Sequence, residues 1–497
     1  MSGSFVLRRL PASGFVSLNS QLKSFGWRGG EPGECSAGQL PSLRGIVESF
    51  LTPSAPRKPR DPLAAVYVAR DIADFLEEQQ FHQNYGVARC SDAGHTRLGY
   101  LCVIGVKKLF SMLRTKRKLA SRALPGLSSV SGTAVSALRF CPASERNEIL
   151  RMSECPHDLT ELDDALSSPT RALIETLAAL DGDIIVLGAG GKMGPSLARM
   201  ARRALDAADG DRRRAVIAVS RWSDVAAVAS LDAAGVHCIR ADLLDRAAVD
   251  ALPFAMNVIF MAGQKFGTGG DPSQTWAMNT IVPAWCGERF AGARQVVFST
   301  GNVYPLTPRD GTGASESTPP APVGEYAMSC LGRERVMSAL GARHASPVAL
   351  NRLNYSCALT YGVLTDLAVK VRDGASIDVT MGAVNVIWQG DANAIALMLL
   401  SHAAVPAVPV NVTGLDVLPV RDLATALGER FGRAPVFTGT EAPDALLSDA
   451  RALRERFGES LHLLPLDRLL DWTAEWVRAS NPLLGKATKF EVRDGRF

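Results

Sequence analysis

Residues 183–205 read DIIVLGAGGKMGPSLARMARRAL, and no other stretch of the chain narrows its fold as far. Ile184, Ile185, Val186 and Leu187 form a short apolar run, the pattern of a parallel strand buried on both faces. The run enters a turn holding Gly188, Gly190, Gly191 and Gly194, and then a helical segment with Leu197, Met200, Ala201 and Leu205 toward one side. Strand, glycine turn, helix is the context that a dinucleotide-binding loop requires. Glycine permits the tight turn and lets the backbone approach a pyrophosphate, whose charge then meets the free N–H groups at the helix N-terminus. An ordinary strand–helix turn shares the glycines, so the correct flanks on both sides carry the reading.

The spacing Gly188-x-x-Gly191-x-x-Gly194 resembles the extended branch of the short-chain dehydrogenase/reductase superfamily, and within it the NAD(P)-dependent epimerase/dehydratase family. The resemblance runs over about residues 152–497 and implies a doubly wound, parallel-sheet α/β Rossmann fold. A smaller substrate-binding portion is expected from about 356–385 and 406–497. It implies a cofactor cradle from Gly188, Gly190, Gly191, Lys192, Met193 and Gly194. It also places Asp242-Leu243 at the adenine, Ala262-Gly263 beside the cofactor, and Asn279 on the helix that follows. The second strand, AVIAVSRW, ends in Ser220-Arg221, where NAD-selective relatives place a carboxylate. A hydroxyl and a guanidinium suit a 2′-phosphate, so the expected cofactor is NADP or NAD with NADP preferred.

The stretch QVVFSTGNVYP resembles the fifth strand and its active-site end, which puts Thr300 where the family hydrogen-bonds the reacting oxygen. Nucleotide-sugar 4,6-dehydratases follow this threonine with Asp-Glu; here Gly301-Asn302 follow, and neither exchanges a proton near neutral pH. That argues against a dehydratase of that kind and for epimerase-like or reductase-like hydride chemistry. In VGEYAMSCLGRERV, Tyr326 takes the place of the catalytic tyrosine, but Cys330 stands where the family has a lysine. A free tyrosine has a pKa of about 10. The family lysine lowers it, and a thiol carries no such charge. Arg333 lies on the same helical face, about 10 Å along the rise, within reach of a bending side chain. Asn354, in NYSCALTYGVLTD, corresponds to a substrate-side asparagine, although the family's Arg-x-x-Asn spacing is not kept. The segment VNVIWQGDANAIALMLL resembles a strand and helix returning to the sheet, with Asp391 as helix cap.

The expected function is an NAD(P)-dependent oxidoreductase or epimerase acting on a secondary alcohol, with a sugar or nucleotide sugar as the small-molecule partner. The rival reading is a cofactor-binding regulator or scaffold with a degenerate site. Nine cysteines lack ligand or disulfide spacing, so neither a metal site nor a disulfide framework is expected. No apolar run approaches the roughly 18 residues of a spanning helix. A cytoplasmic setting is expected, no nucleic-acid partner is expected, and a homodimer stays open.

None of the resemblance covers residues 1–151, which hold 21 Lys+Arg against 11 Asp+Glu, while residues 152–497 hold 33 against 39. Three readings of this basic region stand side by side. It is a loosely folded extension, with translation beginning at Met152. It is a targeting segment, since residues 1–30 lack Asp and Glu and carry Arg8, Arg9, Lys23 and Arg28, which would make the setting organellar. Or Lys107, Lys108, Arg114, Lys116, Arg117 and Lys118 form a surface for an anionic partner.

Overall fold

Seven short strands alternate with helices along the chain, and every pairing between them is parallel. The strands are β1 (Ile184–Leu187), β2 (Val216–Ser220), β3 (His237–Arg240), β4 (Asn257–Phe260), β5 (Arg294–Thr300), β6 (Val348–Leu353) and β7 (Val408–Val412). In space they run β7-β6-β5-β4-β1-β2-β3. The computed structural model describes residues 154–209, 214–265 and 270–496, and the readings made for residues 1–151 lie outside them.

The helices that matter for the site are α1 (Leu159–Leu166), α2 (Arg171–Ala179), α3 (Gly194–Asp209), α4 (Val282–Arg289), α5 (Gly324–His344), α6 (Val363–Asp373), α7 (Gln389–Met398), α8 (Val420–Phe431) and α9 (Leu466–Arg478). Strand side chains alternate between faces. Ile184 and Val186 enter one core with Leu173, Leu197, Met200 and Ile395. Ile185 and Leu187 enter another with Val282, Cys286 and Met337. Helices thus seal both faces, which is why β1 reads as a continuous apolar run.

Strand order decides where a ligand can sit. The chain leaves β1 toward β2 and β3, then crosses back to build β4, β5, β6 and β7 on the other side. The switch falls between β1 and β4, which pair in register from Ile184↔Asn257 to Leu187↔Phe260. In a sheet of this kind the carboxyl edge at such a switch point is where a ligand is expected.

A third core lies outside the main sheet. It joins Leu364 and Leu367 of α6, Leu423 and Leu427 of α8, Trp472 and Trp476 of α9, and Phe490 near the C-terminus. Leu162 and Leu166 of α1 pack into it. Strand β7, within 406–497, belongs to the main sheet, where it pairs with β6. Among the described residues no helix is long and apolar enough to cross a membrane.

Residues 158–180 are helical in pattern and form the two helices α1 and α2: Pro169 interrupts the pattern, and Thr170 starts the second by accepting from the Leu173 N–H at 3.2 Å. Two local expectations are corrected. The strand in VNVIWQGDAN does not rejoin the sheet; Ile387–Trp388 pairs with Ser356–Cys357, and the returning strand is β7. Asp391 is not the cap of α7, since the residue before that helix is Trp388; Asp391 lies in the first turn and accepts from the Leu464 N–H at 2.6 Å.

Candidate functional site

The turn after β1 is held by the strand beside it. The N–H groups of Gly188 and Ala189 both donate to the Val219 carbonyl, at 2.9 and 3.0 Å. Gly188 has φ +89°. A Cβ there would meet the Ala262 backbone at 2.5 Å, so only glycine lets the β1 and β4 loops lie this close. A Cβ on Gly194 would come within 2.2 Å of the Ala189 carbonyl oxygen, which sets how closely α3 approaches the turn. Gly191 differs: its nearest obstacle is 3.6 Å away, and the residue is exposed. Lys192 extends from the same turn and puts its ammonium 3.2 Å from the ring centroid of Tyr361, while Met193 packs beside the core.

At the end of β2, Ser220 lies under Gly190, and Arg221 is exposed. Trp222 follows, buried, with φ +46°, its indole N–H donating to the Ile239 carbonyl at 3.0 Å. A buried non-glycine residue in the left-handed region is uncommon; this one plugs the space below the glycine turn. At the end of β3, exposed Asp242 turns the chain by accepting from the Leu244 N–H at 3.0 Å, and Leu243 is buried in the core.

Past β4 the chain is clamped by one carboxamide. Asn279 Oδ1 accepts from the Gln264 N–H at 2.9 Å, and its Nδ2 donates to the Gln264 carbonyl at 3.0 Å and to Ser329 Oγ at 2.9 Å. Asn279 sits in a π-helical turn, Ala277–Ile281, that runs into α4. Pro283, four residues on, has no N–H to offer its carbonyl. Arg333 Nε donates there instead at 3.2 Å, while Nη2 donates to Asn279 Oδ1 at 2.8 Å and Nη1 to the Phe298 carbonyl at 2.7 Å. A Cβ on Gly263 would strike this guanidinium at 2.7 Å. Asn279 therefore acts by fixing the Gly263–Lys265 loop, its carboxamide being occupied on both ends.

Tyr326 and Thr300 lie together: their side chains are hydrogen-bonded, and Cys330 bonds the same phenol. Thr300 Oγ1 also donates to Asn302 Oδ1 at 3.0 Å. Burial pushes the Tyr326 phenol above its ordinary value and Cys330 raises it further, while the Arg333 charge and the Thr300 hydrogen bond pull it down. The Cys330 thiol is buried and is raised as well, so it stays protonated.

Two lysines face this region that sequence reasoning passed over or assigned otherwise. Lys265 Nζ lies 5.8 Å from the Tyr326 ring centroid. Burial lowers its pKa to about 8, with repulsion from Lys489 acting in the same sense and the Cys330 thiol opposing. Lys192 is also lowered to about 8, by partial burial and by repulsion from Lys265 and Lys486. The cue was available in sequence two residues past Gly263, but only the Asn279 clamp and the packing of α5 bring Lys265 to the tyrosine. Next to Gly301, Asn354 is buried with its Nδ2 lacking a protein partner, and its side chain flanks this glycine together with Ser448, whose Oγ also lacks one. Among the described residues no cluster of His, Cys, Asp and Glu could hold a metal ion.

Residues 184–375 match the model of the NAD dependent epimerase/dehydratase family. Among solved structures, the chain is similar to DesIV, a dTDP-glucose 4,6-dehydratase from Streptomyces venezuelae with NAD and TYD bound. The identity is 20%, 60% of this chain and 97% of that chain are covered, and the TM-score is 0.50. The UDP-glucose 4-epimerase of Thermus thermophilus in complex with NAD gives 19% identity, coverage of 60% and 99%, and a TM-score of 0.48. These likenesses concern the fold. No curated protein matches the chain.

Proposed function

We propose that this chain, a member of the NAD dependent epimerase/dehydratase family through residues 184–375, is an NAD(P)-dependent oxidoreductase or epimerase acting on a secondary alcohol of a sugar or nucleotide sugar. The observation that carries the reading is the meeting of Tyr326 and Thr300 at the carboxyl end of β5, on the same sheet edge as the Gly188–Gly194 turn.

The residues present fit a pyridine dinucleotide. The turn lies at the switch point of the sheet, and Gly191 is exposed where nothing in the fold itself demands glycine. A backbone left bare there suits a pyrophosphate against the start of α3. Gly188–Gly194 would hold that pyrophosphate, Ser220 and Arg221 the adenosine ribose, and Asp242 the adenine. When bound, the nicotinamide supplies a hydride acceptor or donor. Lys265 and Lys486 disfavour the charge on Lys192, and Lys489 disfavours that on Lys265, an arrangement that favours a ligand with more than one phosphate.

Tyr326 Oη takes the proton of the substrate hydroxyl and returns it in the reverse direction. Thr300 Oγ1, already in contact with the phenol, orients that hydroxyl. Asn354 and Ser448 supply polar atoms on the substrate side of Gly301. Gly301 and Asn302 supply no acid–base pair, so expulsion of water by residues following Thr300 is not part of the reading. A binding protein without turnover is favoured by two observations, the thiol at position 330 and the burial of the phenol.

The test is the absorbance of reduced nicotinamide when NAD- or NADP-loaded full-length protein meets a panel beginning with UDP-glucose and dTDP-glucose. Tyr326→Phe should keep dinucleotide affinity and lose turnover about 10²–10⁴-fold, the range for a general acid–base. Unchanged behaviour of Tyr326→Phe across the panel would establish the regulator instead.

A further inference from the structure

The loss of a cation at position 330 leaves a buried phenol with no charge on its own helical turn. Its surroundings can be read residue by residue. From α5 come Cys330, a neutral thiol, and Arg333, whose charge favours the phenolate while its three nitrogens are fixed on the carbonyls of Asn279 and Phe298 and on Asn279 Oδ1. From β5 comes Thr300, uncharged. From the end of β4 comes Lys265, with Nζ 5.8 Å from the ring centroid of Tyr326 and an electrostatic interaction with Cys330.

We propose that Lys265 supplies, from the end of β4, a positive charge that joins Arg333 in stabilising the Tyr326 phenolate, in place of a lysine on the tyrosine's own helix. The inference rests on Tyr326 acting as acid and base. Lys265 is then a positioning residue: it acts on the substrate through Tyr326.

The placement of Lys265 is built into the backbone. Gln264, the residue before it, is gripped at both its N–H and its carbonyl by Asn279. The same carboxamide donates to Ser329 Oγ, and Ser329 Oγ donates to the Tyr326 carbonyl at 2.9 Å. The lysine-bearing loop and the tyrosine-bearing turn are thus tied through one side chain, and Arg333 braces that side chain from below. A lysine at position 330 would have to share this space with Lys265, and two ammonium groups at one phenol would repel. A small neutral thiol removes that conflict. Lys265 retains its own proton at neutral pH, since burial lowers it only to about 8.

The test reads the phenol directly. Tyrosinate ultraviolet difference titrations are recorded on NAD-loaded full-length protein, with Tyr326→Phe as the spectral reference. Wild type is compared with Lys265→Met, Lys265→Arg and the double variant Lys265→Met/Cys330→Lys. The titration midpoint of Tyr326 should rise by at least one unit in Lys265→Met, a tenfold loss of phenolate at fixed pH. It should return toward wild type in Lys265→Arg and in the double variant, which restores the charge from the helix. Melting curves on the same samples separate charge from misfolding, and the double variant keeps the test decisive if Lys265→Met is weakened. An unshifted midpoint in Lys265→Met overturns the inference, and so does a shift that neither charged variant reverses. UDP-glucose-dependent NAD reduction is followed in parallel. Its absence from wild type would count against the enzyme reading while leaving the titration readable.

Discussion

Arg352 meets Glu334 through two nitrogens, Nε to Oε1 at 2.9 Å and Nη2 to Oε2 at 2.7 Å, beneath the carboxyl end of β5. The two side chains are only 6% and 3% exposed. Ser299 Oγ donates to the same carboxylate at 2.5 Å, Arg352 Nη1 donates to Tyr304 Oη at 2.7 Å, and Tyr304 donates onward to Asn411 at 2.8 Å. The network therefore ties α5, which carries Tyr326, to β5, β6 and β7. Removing one partner strands a buried charge. Arg352→Met or Glu334→Gln alone should lower unfolding stability by about 3–5 kcal/mol, whereas replacing both by apolar residues should recover much of that loss. Urea denaturation of the two single variants and the double variant checks this through their midpoints.

Two glycines of the β1 turn should fail in different ways. An added Cβ at Gly194 comes within 2.2 Å of the Ala189 carbonyl oxygen, which is backbone and cannot rotate away. Gly194→Ala should therefore lower the melting temperature and dinucleotide affinity together. At Gly191 the nearest atom is 3.6 Å away, an ordinary contact. Gly191→Val should melt close to wild type and lose affinity for NAD and NADP at least about tenfold, because its side chain enters the space assigned to pyrophosphate. Thermal unfolding and quenching of protein fluorescence by added dinucleotide separate the two outcomes.

The contrast shows what a sequence can carry. The glycine turn from Gly188 to Gly194 was legible because a tight turn between a strand and a helix constrains neighbours in the chain, and periodicity records the flanks. Tyr326 and Thr300 were legible because each sits at a fixed offset inside a local motif. Lys265 and the clamp at Asn279 were not, because their meaning lies in contacts between separate elements: Gln264 meets Asn279 only through tertiary packing. The freed carbonyl of Asn279 could be inferred from Pro283 in sequence, but its acceptance of Arg333 could not. The returning strand was placed at 384–388 and not at 408–412 because both are short apolar runs, and pairing partners alone distinguish them.

Cofactor choice should hinge on Arg221. It is exposed at the end of β2, one residue past Ser220, which lies under Gly190. A guanidinium there can pair with a 2′-phosphate, and a carboxylate would instead accept from a ribose 2′-hydroxyl. Arg221→Ala should weaken NADP binding with little effect on NAD. Arg221→Asp should reverse the preference by adding repulsion to the phosphate. Parallel titrations with NADPH and NADH check this, and equal changes for both would remove Arg221 from the ribose site.

Proton linkage should mark dinucleotide binding above neutral pH. Lysine ordinarily titrates near 10.4. Lys265 and Lys192 are each lowered to about 8, chiefly by burial and then by neighbouring lysines. Below pH 8 both ammonium groups are charged in the free protein, and above it they are progressively lost. A bound pyrophosphate favours the charged forms and raises both values, so complex formation near pH 8 should take up protons and near pH 6.5 should take up almost none. Affinity for NAD should accordingly fall as pH rises from about 7 to 9, with Lys265 the larger contributor because Lys192 is the more exposed. Without ligand the sign for stability is opposite: between about 8 and the unfolded value the unfolded chain binds more protons, so the free protein gains stability as pH rises through that window. Calorimetric titration of NAD at pH 8 in two buffers of different ionisation enthalpy reads the uptake directly. Lys265→Met should remove the greater part of it, and a buffer-independent heat in wild type would refute the linkage.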